Sequence, residues 1–480
     1  MHLRTHLAVL AAKTTLKACH LTGRPGSSLP GRTAMKIDPH IIAPLAAQVR
    51  RGIIVTCGTN GKTTTNNLLC AALEAQGFRV VSNRLGANMR EGVAAALAAA
   101  ADPMGRLDAD YACLEVDEAS SVHVLPQLRP DFMILTNLFR DQLDRYGEID
   151  LTMKALEKAI RLAPDMTLVI NGDDPLTAFL AKKSCLRFVS FGVSEKVQTV
   201  SSNEVREGRF CEECGASLQY DFYHFSQLGV YRCPSCGFHR PGIDYDASGV
   251  SLTPQLSFDL REAGAADSPS DPSGLRDSPS DPAGPQGEKP SPVKPSPVRI
   301  HAPMTGFYNI YNILAVCSVL RELGLPTDRL DEILHDFRPQ FGRGEVFHIG
   351  EKGGKKVLLN LAKNPAGFNQ NISAMLQDRS PKDLIIVIND NAQDGRDVSW
   401  LWDVDFDRLA DETIRSITVS GLRALDMQLR LKYVEIRSER APTVEAAIDR
   451  RLAGGCGNLY VLVNYTALYE AHKYLEKIQK

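Results

Sequence analysis

Nowhere in the 480-residue sequence do about 18 uncharged apolar residues run together, so no transmembrane helix is expected. An excess of either charge is missing too. Lys and Arg number 55 against 57 Asp and Glu, for a net charge of -2. That balance, with no aromatic-basic stripe, gives no electrostatic footprint for nucleic acid. Residues 1–37 lack any acid before Asp38, yet they carry Arg4, Lys13, Lys17, Arg24, Arg32 and Lys36. A secretory signal is not expected, because the apolar stretch Leu7–Ala12 is short and runs into Lys13. A disulfide framework is not expected either. Of eleven cysteines, four form two close pairs and seven are scattered, a usage that suits metal binding in a reducing cytoplasm. Finally, no activated cysteine nucleophile is found. Gly454-Gly455-Cys456-Gly457 precedes a strand and reads as a turn or packing element rather than a nucleophile.

What is present begins with that basic end, where Leu3, Leu7, Leu10 and Leu21 fall near one helical face, interspersed with Arg4, Lys13 and Lys17. The expectation is a helix packed on the body by its leucines; the alternative is a helix lying on a membrane surface. An α/β pattern follows, with strands expected at Ile53–Val55, Tyr111–Val116, Phe132–Thr136 and Thr167–Ile170 and helices between several of them. Such alternation implies a parallel sheet with ligands at the carboxyl ends of its strands. A cysteine-rich insert occupies residues 208–242. The low-complexity stretch 263–297, with its repeated Asp-Ser-Pro-Ser-Asp-Pro, reads as a disordered surface loop. A last α/β block has strands expected at Leu384–Ile388, Ile417–Ser420 and Leu459–Val463. The resulting division is a basic helical segment 1–45, a central nucleotide-binding domain 46–338 and a C-terminal α/β, Rossmann-like domain 339–480.

Two motifs carry chemistry. Strand Ile53–Val55 feeds Gly58-Thr59-Asn60-Gly61-Lys62-Thr63-Thr64, and a helix with Leu68, Leu69 and Leu73 follows. This is the context of a phosphate loop. Glycines let backbone N–H groups face phosphate oxygens, Lys62 offsets β/γ charge, and the Thr63 hydroxyl can ligate Mg²⁺. ATP and Mg²⁺ are therefore the expected cofactors, although Thr56 stands where the general pattern has its first glycine. Glu115, near the end of the strand Tyr111–Val116, is the candidate carboxylate for the metal, against the plainer reading of an acid solvating a strand end. Cys211-x2-Cys214 and Cys233-x2-Cys236, each pair followed by glycine, have zinc-ribbon spacing. Four thiolates would complete a structural Zn²⁺ site with no open position, leaving His224 and His239 as packing or surface residues.

The loop Gly58–Thr63 resembles the nucleotide loop of the Mur ligase and folylpolyglutamate synthetase superfamily. The segment Thr136–Gly147 resembles its TNL..DHLD..G motif, with Gln142 in place of the usual histidine; Lys154 and Lys158 stand as candidates for a carbamylated lysine. Gly306–Asn312 resembles the G.HN..N helix, implying that Asn309 and Asn312 face adenine. Phe341-Gly342-Arg343-Gly344-Glu345 resembles the GR.E hinge, implying that Arg343 reaches nucleotide phosphate. Asn360–Pro365 stands where many relatives have DYAHNP.

A four-cysteine ribbon in the central domain, with the segments Asn360–Gly367 and Asn389–Trp400, resembles the MurT branch of that superfamily. The resemblance implies ATP-dependent amidation of the D-glutamate α-carboxyl of lipid II, by a carbon-nitrogen ligase using glutamine as amido donor, at the inner face of the cell membrane. It also implies a heterodimer with a GatD-type class I glutamine amidotransferase, which would supply the missing cysteine nucleophile. Lys62 and Glu115 would serve the activation step. Asp397, in preference to Asp394, would orient the partner's catalytic histidine; the alternative is a pair of capping acids or a salt bridge to Arg396. The competing readings are an amino-acid ligase of the same superfamily and a P-loop protein gripping nucleic acid with its ribbon.

Overall fold

The computed structural model describes residues 3–22, 26–83, 87–141, 149–197, 207–253, 255–263, 297–337, 342–350, 354–454 and 457–479. Gln142, Phe341, Cys456 and almost all of the low-complexity stretch lie outside them. The strands are β1 (Gly52–Cys57), β2 (Val80–Ser82), β3 (Tyr111–Glu115), β4 (Phe132–Leu135), β5 (Thr167–Asn171), β6 (Phe188–Val193), β7 (Gln219–Phe225), β8 (Leu228–Arg232), β9 (Tyr245–Ser251), β10 (Leu256–Glu262) and β11 (Val298–Ala302). They are followed by β12 (Arg343–Ile349), β13 (Lys355–Leu361), β14 (Lys382–Val387), β15 (Ile414–Ser420), β16 (Glu439–Arg440) and β17 (Asn458–Val463).

One sheet runs in the order β11-β10-β9-β6-β5-β4-β1-β3-β2, parallel from β9 to β2, with β10 and β11 added antiparallel. Its inner strands are buried on both faces, which is why they read as unbroken apolar runs. Ile53 and Val55 enter one core with Leu114, Met133 and Leu168; Ile54 enters the other with Cys113, Ile134 and Val169. A second sheet, β12-β13-β17-β14-β15-β16, is parallel except for β12 and likewise has a core on each face. Sequence patterning missed the short β2 and β16, the hairpin β7–β8, the inner strands β6 and β13, and the strands at or near the antiparallel edges, β9 to β12. Tyr245–Ser251 and Arg343–Ile349 mix polar and apolar residues because they are only partly covered.

The N-terminal helix Leu3–Leu21 corrects one expectation: its leucines are not the packing face. Ala8, Val9 and Ala12 are buried against the body, whereas Leu3, Leu7, Leu10 and Leu21 face outward. The reason is close approach. The helix Leu29–Ile37 packs on both it and the helix Arg90–Ala100, approaching the latter so tightly that a Cβ on Gly31 would strike the Glu91 carbonyl.

Candidate functional site

Parallel pairing sets the site. Thr56 of β1 is in register with Glu115 of β3, and Cys57 with Leu135 of β4, so the loop after β1 lies between the ends of β3 and β4. Thr56 is a fully buried part of the strand. Gly58 and Gly61 adopt φ of 120° and 86°, where side chains are strained. A Cβ would also collide with Thr136 at Gly58 and with Asn312 at Gly61. The loop is further fixed by Asn60 N–H donating to Asn137 Oδ1 (2.9 Å) and Thr59 Oγ1 donating to the Phe139 carbonyl (3.0 Å). Thr64 and Thr65, at the start of the helix Lys62–Ala75, are buried beneath it.

Lys62 is buried and its ammonium donates to Glu118 Oε1 at 2.9 Å. The same oxygen accepts from the Gly58 N–H at 2.9 Å. Burial alone would depress the Lys62 pKa; the carboxylates of Glu118, Glu115 and Asp117 outweigh it and hold the ammonium above the ordinary lysine range. The loop thus holds an internal anion at its cationic centre.

On the other side, the Thr63 hydroxyl donates to Glu115 Oε2 and accepts from Arg343 Nη2 at 2.7 Å. Asn88 Nδ2 holds Glu115 Oε1 at 2.8 Å, and Asn83 brackets its backbone. A hydroxyl and a carboxylate in contact form the hard-oxygen set that suits Mg²⁺. Asn309 and Asn312 are buried at the start of the helix Tyr308–Glu322. They bond to each other at 2.9 Å, and Asn312 Oδ1 accepts from Thr65 Oγ1 at 3.2 Å.

The second sheet presents the edge where β12 begins and β13 ends, Arg343 being in register with Asn360. From that edge Arg343 reaches Thr63, and Asn364 exchanges amide hydrogen bonds with Asn60 (3.1 and 3.3 Å) while capping the helix Pro365–Gln377. Lys363 forms an ion pair with Asp141. A cleft of about 1250 Å³ lies between the two sheets, lined by Lys62, Thr63, Glu115, Asn309, Arg343 and Lys363 among others. Glu118, Asn88 and Asn83 were not singled out from sequence, because nothing in local spacing tells which strand-end acid faces the loop or which amides brace Glu115.

Other residues lie apart from this cluster. Lys154 and Lys158 are exposed on the helix Ile149–Arg161. Asp394 is buried, accepting from Thr466 N–H (2.8 Å) and its hydroxyl. Asp397 is partly exposed and accepts from Ser399 N–H (2.8 Å) and Oγ (2.9 Å), opening the short helix Ser399–Asp403. Asp397 therefore caps local backbone, whereas Asp394 caps the start of the distant helix Tyr465–Ile478.

Cys211, Cys214, Cys233 and Cys236 converge with all four sulfurs within 4.8 Å of one another. Gly215 and Gly237, at φ 74° and 77°, turn each knuckle. Backbone N–H groups of Cys236 and Ser235 pull the Cys233 thiol down to about 6, while burial pushes the Cys211 thiol up and burial with the neighbouring sulfurs raises Cys236 to about 12. His224 is buried 3.0 Å from the Val193 carbonyl and stacked on Phe307, while His239 is exposed; neither joins the sulfurs. Past the cluster, Arg240 Nε donates to Asp173 Oδ1 (2.6 Å), whose other oxygen accepts from Tyr311 on the helix that carries Asn312 (2.7 Å).

Residues 55–230 match the Mur ligase middle domain family and residues 361–468 the MurT ligase C-terminal family. The chain is 35% identical over 469 residues to the lipid II isoglutaminyl synthase (glutamine-hydrolyzing) subunit MurT of Staphylococcus aureus (strain COL), covering 97% of this chain and 96% of that one. It is 32% identical over 487 residues to the subunit of the same name from Streptococcus pneumoniae (strain ATCC BAA-255 / R6), covering 100% and 98%. Among solved structures, a pseudomurein peptide ligase type C from Methanothermus fervidus superposes with a TM-score of 0.62 at 21% identity, covering 91% of this chain and 80% of that one.

Proposed function

The chain belongs to the MurT family of the Mur ligase superfamily, and from that membership we propose that it is the ATP-dependent subunit that amidates the D-glutamate α-carboxyl of lipid II to D-isoglutamine, in peptidoglycan synthesis. The observation that carries the activation chemistry is the cluster of Lys62, Thr63, Glu115 and Arg343 at the strand ends. A carboxylate is a poor electrophile. An oxygen of the substrate carboxylate would attack the γ-phosphorus of ATP, releasing ADP and leaving an acyl phosphate; ammonia would then attack the carbonyl carbon and expel phosphate. Lys62 and the N–H groups of Gly58 to Thr63 would hold the phosphates, a fit supported by the carboxylate oxygen already seated there. Thr63 and Glu115 would hold Mg²⁺, which offsets charge on the transferring group when bound. Arg343 would close on the phosphates from the second sheet, and Asn309 and Asn312 would border the adenine.

The four cysteines would hold a structural Zn²⁺, since their convergence in two knuckles leaves no ligand position open. We assign residues 1–45, 46–338 and 339–480 to the helical segment, the central domain and the ligase domain. Ammonia would come from a GatD-type class I glutamine amidotransferase in a heterodimer working at the inner face of the membrane; among the described residues no helix is long and apolar enough to cross it. Asp397 would orient that partner's histidine. The test is ATP-dependent amidation of lipid II by this chain, with ammonium alone and with glutamine plus a copurifying glutaminase. A stem peptide whose mass does not change in either arm rejects the function, and unchanged glutaminase turnover with Asp397→Asn rejects the interface role.

A further inference from the structure

We propose that the outward leucine face of the helix Leu3–Leu21 is an interfacial anchor that seats the protein on an anionic lipid surface beside the mouth of its cleft. Leu3, Leu7, Leu10 and Leu21 are 76, 50, 43 and 89% exposed, while Ala8, Val9 and Ala12 of the same helix face the body. The usual amphipathic arrangement is inverted. Large apolar side chains displayed in one stripe mark an interaction surface rather than a packing one. The surroundings select the occupant. Arg4, Lys13 and Lys17 flank the stripe, Arg32 and Lys36 are exposed on the next helix, and no acid occurs before Asp38. Leucines on one face with cations along their edges are the pattern of a helix lying in the headgroup layer, its apolar side chains reaching the acyl boundary and its cations on anionic headgroups.

Position adds a second argument, which rests on the proposed function. His20, at the end of this helix, and Ser27 and Ser28 just after it line the cleft that holds Lys62 and Glu115. A lipid-linked substrate could keep its tail in the bilayer while its head group enters.

The experiment is sedimentation of the full-length protein with vesicles of phosphatidylcholine alone or with phosphatidylglycerol added, none containing lipid-linked substrate, so the result stands whether or not amidation is observed. Binding is expected to the anionic vesicles and to weaken with salt. Leu7→Gln with Leu10→Gln is expected to reduce it roughly tenfold, and Lys17→Gln about fivefold, with melting temperatures unchanged because these side chains are exposed. Absence of binding to anionic vesicles, or equal binding by the leucine variant, overturns the proposal. So does a leucine variant that loses its glutaminase partner or changes oligomeric state on size exclusion, since the face would then dock protein.

Discussion

Glu118 sits between the Gly58 N–H and the Lys62 ammonium, where the proposed function would put a phosphate oxygen. On that reading incoming nucleotide would displace it. Glu118→Gln leaves Lys62 buried without its counter-ion, which costs the ligand-free protein about 3 kcal/mol, and ATP restores that charge balance. The variant is expected to melt lower without nucleotide and to show a larger ATP-induced shift than the parent. An equal shift in thermal denaturation would mean that the carboxylate moves away at no cost. Asp174 makes a second case. It is fully buried, and burial pushes its carboxyl up to about 7, against the bonds from Leu138 and Leu176 N–H that pull it down. With the folded value above an unfolded one of about 3.9, the folded state binds the proton more tightly. This contribution is fully present below about pH 4 and is lost as pH rises through 7. Asp174→Asn removes that slope, so the variant's stability relative to the parent should rise between pH 5 and 7; a constant difference in melts across that window would contradict the burial argument. At this scale the sequence points to Lys62 and Thr63 because a glycine loop fixes its own geometry, and to Glu115 because it ends a strand of the parallel sheet. Partners such as Glu118, Asn88 and Gln227 are chosen by tertiary approach and leave no local pattern.

Among the elements, the cysteine insert is tied to the nucleotide side by side chains as well as by the Gly229 N–H, which donates to the Asp173 carbonyl at 3.0 Å. Arg240 leaves the cluster to meet Asp173, and Tyr311 meets the same carboxylate from the helix bearing Asn312. Gln227, in the β7-β8 turn, donates to the Leu138 carbonyl at 2.6 Å. Removing the proposed Zn²⁺ with a thiol-compatible chelator should therefore lower the melting temperature and weaken ATP binding, although none of the four clustered cysteines belongs to the loop. Arg240→Met, with metal retained, should reproduce the ATP effect, because it strands a buried Asp173. Metal analysis, melting and nucleotide titration check this. A chelated protein with both properties unchanged would remove the structural role. The convergence of the four cysteines was legible because C-x2-C pairs followed by glycine form tight knuckles. The N-terminal helix was misread because the leucine stripe of a buried helix and that of an interfacial one have the same period, and only the packing of Ala8 and Ala12 separates them.

The whole molecule is organised by two sheets whose strand ends face one cleft, and the contacts that join the two halves include Arg343 to Thr63, Asn364 to Asn60 and Lys363 to Asp141, besides Arg140 to Asp403 at 3.6 Å. The first two end on the phosphate loop, so their loss would alter nucleotide binding directly. The third joins residues beside the loop and reports on closure itself. A partly buried ion pair of this kind contributes about 1 to 2 kcal/mol, which would shift an open–closed equilibrium roughly tenfold. Lys363→Ala is expected to lower kcat about tenfold with little change in the ATP dissociation constant, and small-angle scattering of the nucleotide complex should show a larger radius of gyration. The double exchange Lys363→Asp with Asp141→Lys rebuilds the pair with its charges reversed and should recover most of the rate. Recovery would assign the effect to closure. A double variant as slow as Lys363→Ala, with a normal radius of gyration, would instead place Lys363 on the substrate, where the reversed charge cannot serve.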